Sequence, residues 1–161
     1  MAPFCRNRIP VNSARRSTVD SKEQTAASGA APTIVNPAHL HDPTPNGYST
    51  AVVVPAAGRM AFVSGQGGQD RTGNLSPDFG SQVEQAYANL GAVLKALGAR
   101  PDKVVKLTVF VVDHDMSKLG ILTENVVRMF GATLPAQTLV PVPKLAIDAM
   151  RFEVEAVVLL D

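Results

Sequence analysis

Tryptophan is absent from this chain of 161 residues, and aromatic side chains make up only 5% of it. That scarcity leaves no series of rings on which the bases of a single strand could stack. Cysteine occurs once, as Cys5, so an internal disulfide is excluded and a reducing, cytoplasmic setting is expected. Neither sign of charge dominates: 15 Lys and Arg stand against 14 Asp and Glu, a net charge of +1. Such a surface exerts no long-range pull on nucleic acid or on an acidic membrane, and neither is expected as a partner. No apolar run reaches the ~18 residues of a membrane-spanning helix. The glycine-rich stretch Ser64-Gly65-Gln66-Gly67-Gly68 lacks the Lys-Ser/Thr of a phosphate-binding loop, and G-x-G-x-x-G does not occur. What remains, 45% hydrophobic and 18% charged residues, suits one globular domain with a real core.

Residues 1–32 carry no apolar period. Arg6, Arg8, Arg15 and Arg16 all precede the first acid, Asp20, with serine and alanine between them. This segment is expected to be a disordered extension, or alternatively an organellar targeting peptide, which is Arg- and Ser-rich and poor in acids. The domain proper is expected over 33–161. It opens with a proline-punctuated loop, Thr33 to Gly47, in which His39 and His41 flank Leu40. Two histidines so spaced could share a metal, but no third ligand is evident, so a metal-free loop is expected. Asn46-Gly47 is a turn that delivers Tyr48 to a strand. Tyr48–Val54 and Met60–Gln66 are β-type runs, with Pro55 to Arg59 as the hairpin turn between them. The milder meaning of the glycines that follow is close approach of a ligand to the backbone.

Val83, Ala86, Tyr87, Leu90, Val93, Leu94 and Leu97 recur at helical spacing, with Asp78 or Ser81 as cap and Gly98 placed to end the helix. Val104–Val112 is almost wholly apolar, as a strand buried on both faces would be. His114, between Asp113 and Asp115, belongs in a solvated loop, with a catalytic dyad as the sharper alternative. A second helix runs from about Ser117 to Phe130 and stops at Gly131.

The last segment, Leu134 to Leu160, carries two strands joined by a short turn. In the second, alternation puts Arg151, Glu153 and Glu155 on one face and Phe152, Val154, Ala156 and Val158 on the other. The charged face continues into Val157 and Leu159, so its carboxylates are half-buried and need a partner or a task. They form either a rim ion pair with Arg151 or, at Glu153, the wall of a pocket whose opposite side is Pro135–Val142. Pro135, Pro141 and Pro143 mark that preceding strand as an edge. The order β-β-α-β-α-β-β makes an α+β domain with two helices on one face of the sheet. Strands apolar on both faces then need a second cover, which another copy of the chain would supply.

These pieces together resemble the RidA/YjgF family of reactive-intermediate (enamine/imine) deaminases. The phrases that carry the likeness are Asn46-Gly47-Tyr48, Phe62-Val63-Ser64-Gly65-Gln66, the Gln85–Leu97 helix, Val105 to Val111, Leu134-Pro135-Ala136 and Phe152-Glu153-Val154-Glu155-Ala156. The resemblance implies a chorismate-mutase-like fold, a homotrimer whose sheets form a barrel, and small-molecule pockets at the subunit clefts. It implies hydrolysis of enamines or imines to a carbonyl compound and ammonia without metal or cofactor. It places Tyr48, Ser64 and Gly65 in the pocket, with Glu153 positioning or activating water. Members active on 2-imino acids carry an arginine directly after the Pro-Ala pair, where this chain has Gln137. A neutral amide in place of that charged fork weakens carboxylate binding, since hydrogen bonds to charged groups contribute roughly 1.5–3 kcal/mol against about 0.5–1.5 for neutral ones. A common cysteine is replaced by Leu139, and a position that often holds asparagine aligns with Thr123, with Asn125 close by on another face. The expected activity is thus imine hydrolysis on something other than a simple 2-imino acid; the alternative is a non-catalytic trimer that binds small molecules in the same cleft.

Overall fold

The computed structural model describes residues 31–55 and 58–160. The expected extension, but for its last two residues, lies outside that range, as does the lone cysteine. Six strands and two helices follow one another: β1 (Thr33–Val35), β2 (Ala51–Val53), β3 (Arg59–Gly67), α1 (Phe79–Ala96), β4 (Val104–Val112), α2 (Leu119–Phe130), β5 (Ala136–Val142) and β6 (Phe152–Leu160). The main sheet has the order β3-β6-β4-β5. β6 is antiparallel to both β3 and β4, while β5 runs parallel to β4, so the sheet is mixed.

Both helices form where the apolar spacing places them; α1 is capped by a side chain at its start, and both run out at a glycine. The Asp78 carboxylate accepts from Ser81 N–H (2.7 Å) at the start of α1, and Gly98 turns the chain out of it at φ 67°. α1 buries Val83, Ala86, Tyr87, Leu90 and Leu94; α2 buries Leu122, Val126 and Phe130. Both stripes meet the same face of the sheet, made by Leu107, Val109, Val111, Phe152, Val154, Ala156 and Val158. Tyr87 lies stacked on Phe152 with ring centroids 5.9 Å apart and edge-on to Phe130 at 6.5 Å, joining α1, β6 and α2. The two helices on one face of an α+β sheet agree with the sequence.

Gln82 fastens α1 to the rest of the chain. Its side chain is fully buried, its Nε2 donates to the carbonyls of Ser76 (2.7 Å) and Ala149 (2.9 Å), and its Oε1 accepts from Arg151 N–H (2.8 Å). Every polar atom of the amide is therefore satisfied.

Four expectations need correction. Thr33–Val35, taken for loop, is a strand, and β2 pairs with it antiparallel (Val35 opposite Ala51) rather than with β3. Pro55 to Arg59 therefore does not close a hairpin. The run from Tyr48 is not one strand either: Ser49 is drawn to the start of β5, where its N–H donates to the Pro135 carbonyl (2.9 Å) and its hydroxyl to that of Leu134 (2.5 Å). Finally, β5 and β6 are not neighbours. The connection 143–151 steps past the end of β4, where Val112 N–H donates to the Arg151 carbonyl (3.0 Å), and β4 separates the two strands. The three prolines do mark an edge, since β5 has only one neighbour in the sheet.

Candidate functional site

The residues singled out in the sequence fall into two groups, one on each side of the sheet. The first is built on β3 and β6. Val63 opposes Ala156 and Gln66 opposes Val154, so Ser64 and Gly65 together face Glu155 alone. This is a β-bulge, which re-aims the strand locally. Gln66 Nε2 donates back to the Ser64 carbonyl (3.0 Å) and braces it. Glu153, half-buried on β6, lays its side chain across the bulge. A Cβ built on Gly65 would stand 2.1 Å from the Glu153 Oε1 and 2.3 Å from its Cδ. Glycine at 65 is therefore what lets the carboxylate lie there. Among the described residues, no hydrogen-bond donor or ion-pair partner engages it.

The other glycines of the stretch have different neighbours. A Cβ on Gly67 would strike Met150, and one on Gly68 would come within 2.6–2.7 Å of the Gln82 backbone and Cβ. What approaches this backbone closely is the chain's own packing. The expected ion pair of Arg151 with the glutamates is also corrected: Arg151 precedes β6 and is exposed, and its guanidinium has no partner among the described residues.

The second group surrounds the start of β5. Thr44–Asn46 forms a 3-10 turn, and Gly47 reverses the chain in the left-handed region at φ 78°. Gly47 lies against α2: its Cβ position is 3.4 Å from Val126 and 3.5 Å from the Thr123 methyl. Thr123 Oγ1 stands 3.4 Å from the Asn46 carbonyl. Tyr48 leaves this turn half-buried and leads to Ser49, which is bridged to Ala136. Gln137 and Leu139 follow on β5, opposite Leu107 and Val109, and therefore on the helix-covered face. Leu139 packs against the core. Gln137 Oε1 is buried, and neither amide atom of Gln137 has a hydrogen-bond partner among the described residues. Asn125, by contrast, turns inward and donates to the Ile121 carbonyl (2.9 Å).

One chain does not bring the two groups together. Glu153 opposes Phe110 on β4, whereas Gln137 opposes Leu107. Residues three apart on a strand point to opposite faces. Pro135–Val142 is consequently not the wall opposite Glu153 in the same chain, as the sequence had suggested.

The open face adds residues that the sequence reading passed over. Phe110 is the cross-strand neighbour of Glu153, and Lys106 donates to Thr138 Oγ1 (2.5 Å). Phe62, 77% exposed, rims a hollow of about 120 Å³ with Lys106, Thr108 and Glu155. The signal was available: β4 has a polar or aromatic residue at every second position (Lys106, Thr108, Phe110), with burial alternating to match. His39 and His41 lie exposed in their loop, with His41 Nε2 3.4 Å from Asn46 Nδ2. His114 is half-buried rather than solvated, its Nδ1 buried without a partner among the described residues.

The sequence profile described as Endoribonuclease L-PSP matches residues 40–160. The chain belongs to this family, which is the Rid (YjgF/UK114) family. Among curated Rid relatives, the RutC family protein UK114 of Drosophila melanogaster is 40% identical over 114 residues, 70% of this chain and 78% of that protein. The 2-iminobutanoate/2-iminopropanoate deaminase of Mus musculus is likewise 40% identical over 114 residues, 68% of this chain and 78% of its own. A Rid family protein of unknown function from Yersinia pestis superposes with a TM-score of 0.78 at 30% identity, covering 81% of this chain and all of that one. The mixed sheet with two helices on one face is thus the Rid fold.

Proposed function

We propose that this Rid protein hydrolyses a reactive imine, or the enamine in equilibrium with it, to a carbonyl compound and ammonia. The observation that carries the reading is the Glu153 carboxylate: half-buried, laid over Gly65 in a bulge, and without a partner among the described residues. A half-buried carboxylate that no protein group engages is free to hold water or substrate. The names of several relatives, which specify 2-iminobutanoate/2-iminopropanoate deaminases, give the direction of that chemistry.

In the reaction one imine and one water give one carbonyl compound and one ammonia. Glu153 takes a proton from water as the oxygen bonds to the imine carbon, and the nitrogen is protonated. The amino nitrogen of the resulting carbinolamine takes a second proton, the C–N bond breaks, nitrogen leaves as ammonia with the electron pair, and the hydroxyl proton is released as the carbonyl forms. One carboxylate can serve as base and then as acid. No redox change occurs, and the atoms balance without a cofactor.

A pocket that uses both groups needs a second copy, because each chain keeps Glu153 and Gln137 on opposite faces. The exposed Phe62 beside half-buried Val157, with half-buried Phe110 farther along the same face, gives the open face the apolar character of a buried contact. The open face calls for another copy, and the resemblance to the family makes the number three: we infer a homotrimer in which the Ser64-Gly65-Glu153 group of one subunit meets the Tyr48-Thr123-Gln137-Leu139 group of the next. With Gln137 in place of an arginine, a simple 2-imino acid is a poor substrate. The net charge of +1 gives no support to the nuclease named in the profile's description.

The test is ammonia release from imines generated in situ by an amino-acid oxidase or a threonine dehydratase. Glu153→Ala should lower turnover by roughly 10²–10⁴-fold, the usual share of a general acid–base group. Gln137→Arg should raise kcat/KM for 2-iminobutanoate by roughly one to two orders of magnitude. No turnover by wild type or by Gln137→Arg on any imine would replace the enzyme with a small-molecule-binding protein of the same fold.

A further inference from the structure

Glu153 has a charged neighbour on each side along its strand, and the two are of opposite sign. Glu155 follows it and Arg151 precedes it, each one strand repeat away, about 6.6 Å. Register puts all three on the open face. Glu153 lies opposite Phe110 and Glu155 opposite Thr108. Val112 N–H donates to the Arg151 carbonyl (3.0 Å), which sets Arg151 beside Val112, the next open-face position of β4. The Arg151 backbone is fixed on its other side too, by its N–H to Gln82 Oε1 (2.8 Å), while its side chain is exposed. Among the described residues no acid holds the guanidinium; Asp148, in the turn before it, pairs with Lys144 (2.6 Å). Lys106, the other cation of this face, lies opposite Val157 and donates to Thr138 on β5, so Glu155 stands between it and Glu153.

We propose that Arg151 is the anion receptor of the site: the substrate is an imine whose carboxylate lies about one strand repeat, ~6.6 Å, from the reacting carbon, and the guanidinium binds that carboxylate while the carbon meets Glu153. The signs of the flanking charges set this orientation. A carboxylate laid the other way along β6 would meet Glu155, and one on the imine carbon itself would crowd Glu153, where like charges repel. The guanidinium presents paired N–H donors that match the two oxygens of a carboxylate. A phosphate would bring a charge of about −1.5 to −2, more than one arginine offsets beside two glutamates. In the reaction the carboxylate is a spectator: imine and water give carbonyl compound and ammonia, and only the imine C–N bond breaks. The proposal rests on the imine-hydrolase reading of the site and adds a substrate-binding residue and the class of substrate.

The test uses stable ketones in place of short-lived imines. Binding to the full-length protein is measured by isothermal titration calorimetry for 6-oxoheptanoate, which carries its carboxylate at the far end of the chain from its ketone, for the uncharged 2-heptanone, and for 2-oxobutanoate. Wild type should bind 6-oxoheptanoate more tightly than either of the others, by roughly ten- to a hundredfold, the range of a hydrogen bond between charged groups. Arg151→Gln should bind acid and neutral ketone alike, with a melting temperature close to wild type, because both backbone hydrogen bonds of residue 151 remain. The proposal is overturned if wild type binds 2-heptanone or 2-oxobutanoate as tightly as 6-oxoheptanoate, if none of the three binds at millimolar concentration, or if Arg151→Gln keeps the preference, as it would were Lys106 the receptor. The wild-type comparison can refute the proposal even if the variant fails to fold. The two readings fail separately. Ammonia release from a generated imine, together with equal binding of acid and neutral ketone, removes only the anion receptor. Acid-selective binding that Arg151→Gln abolishes, with no ammonia from any imine supplied, removes the hydrolase and leaves the receptor.

Discussion

Gly65→Ala isolates the link between the bulge and the carboxylate. The added methyl carbon would stand 2.1 Å from Glu153 Oε1, 2.3 Å from Cδ and 2.7 Å from Cγ. An ordinary non-bonded contact lies near ~3.5 Å, so the carboxylate must retreat by about 1 Å or more. The obstacle is the end of a flexible side chain, and Gly65 is not among the glycines with positive φ, so the backbone accepts alanine without strain. The fold should therefore survive while the carboxylate is displaced. A misplacement of ~1 Å at a reacting group costs on the order of 10²-fold in rate. Ammonia release on whichever imine wild type accepts should fall by about that factor, with circular dichroism and melting temperature close to wild type. In the Glu153→Ala background, where nothing remains to be displaced, Gly65→Ala should cost little more, so the two effects are non-additive. Full activity of Gly65→Ala beside a crippled Glu153→Ala would refute the reasoning, because the carboxylate would then act from a place other than the one described. Additive losses in the double variant would do the same.

Gln82→Leu should destabilise the fold by about 2–5 kcal/mol in urea titration, because it strands the Ser76 and Ala149 carbonyls and the Arg151 N–H; a shift under about 1 kcal/mol would show that water replaces the amide freely. The Ser81 N–H holds the Asp78 carboxylate below its ordinary 3.8. Since the folded value is the lower one, the cap stabilises fully above about that pH and its contribution is lost as pH falls through the folded value. Asp78→Asn keeps a capping oxygen and should flatten the acid side of the melting-temperature profile, whereas an unchanged profile would remove the cap as its source. The inferred trimer predicts that light scattering on a sizing column gives three times the 17.0 kDa chain mass. Phe62→Asp should shift that mass downward, and a monomeric wild type would remove the shared site.

How far the sequence could be read follows from what each signal reports. Apolar spacing reports the face of a local element, and so α1, α2, β4 and β6 were legible, as were the Asp78 cap and the exit at Gly98. Alternation put Glu153 and Glu155 on one side of β6 and Phe152 and Val154 on the other, and the prolines marked β5 as an edge. The phrases around Tyr48, Ser64, Pro135 and Glu153 were enough to indicate the family. Strand pairing is a choice between segments far apart in the chain, and no local pattern expresses it. Three-residue strands such as β1 and β2 have no measurable period, so their partnership went unseen and a hairpin stood in its place. β5 lies beside β4 rather than β6 because a parallel partner after a helix is selected by the core that α2 covers, not by the shortness of the connection 143–151. That register puts Leu107 opposite Gln137 and Phe110 opposite Glu153, and with it the two halves of the site on opposite faces. The glycines were visible as letters, but only the tertiary structure showed that Gly65 makes room for Glu153, Gly67 for Met150 and Gly68 for Gln82. A residue without a Cβ says that something lies close, and the fold decides what.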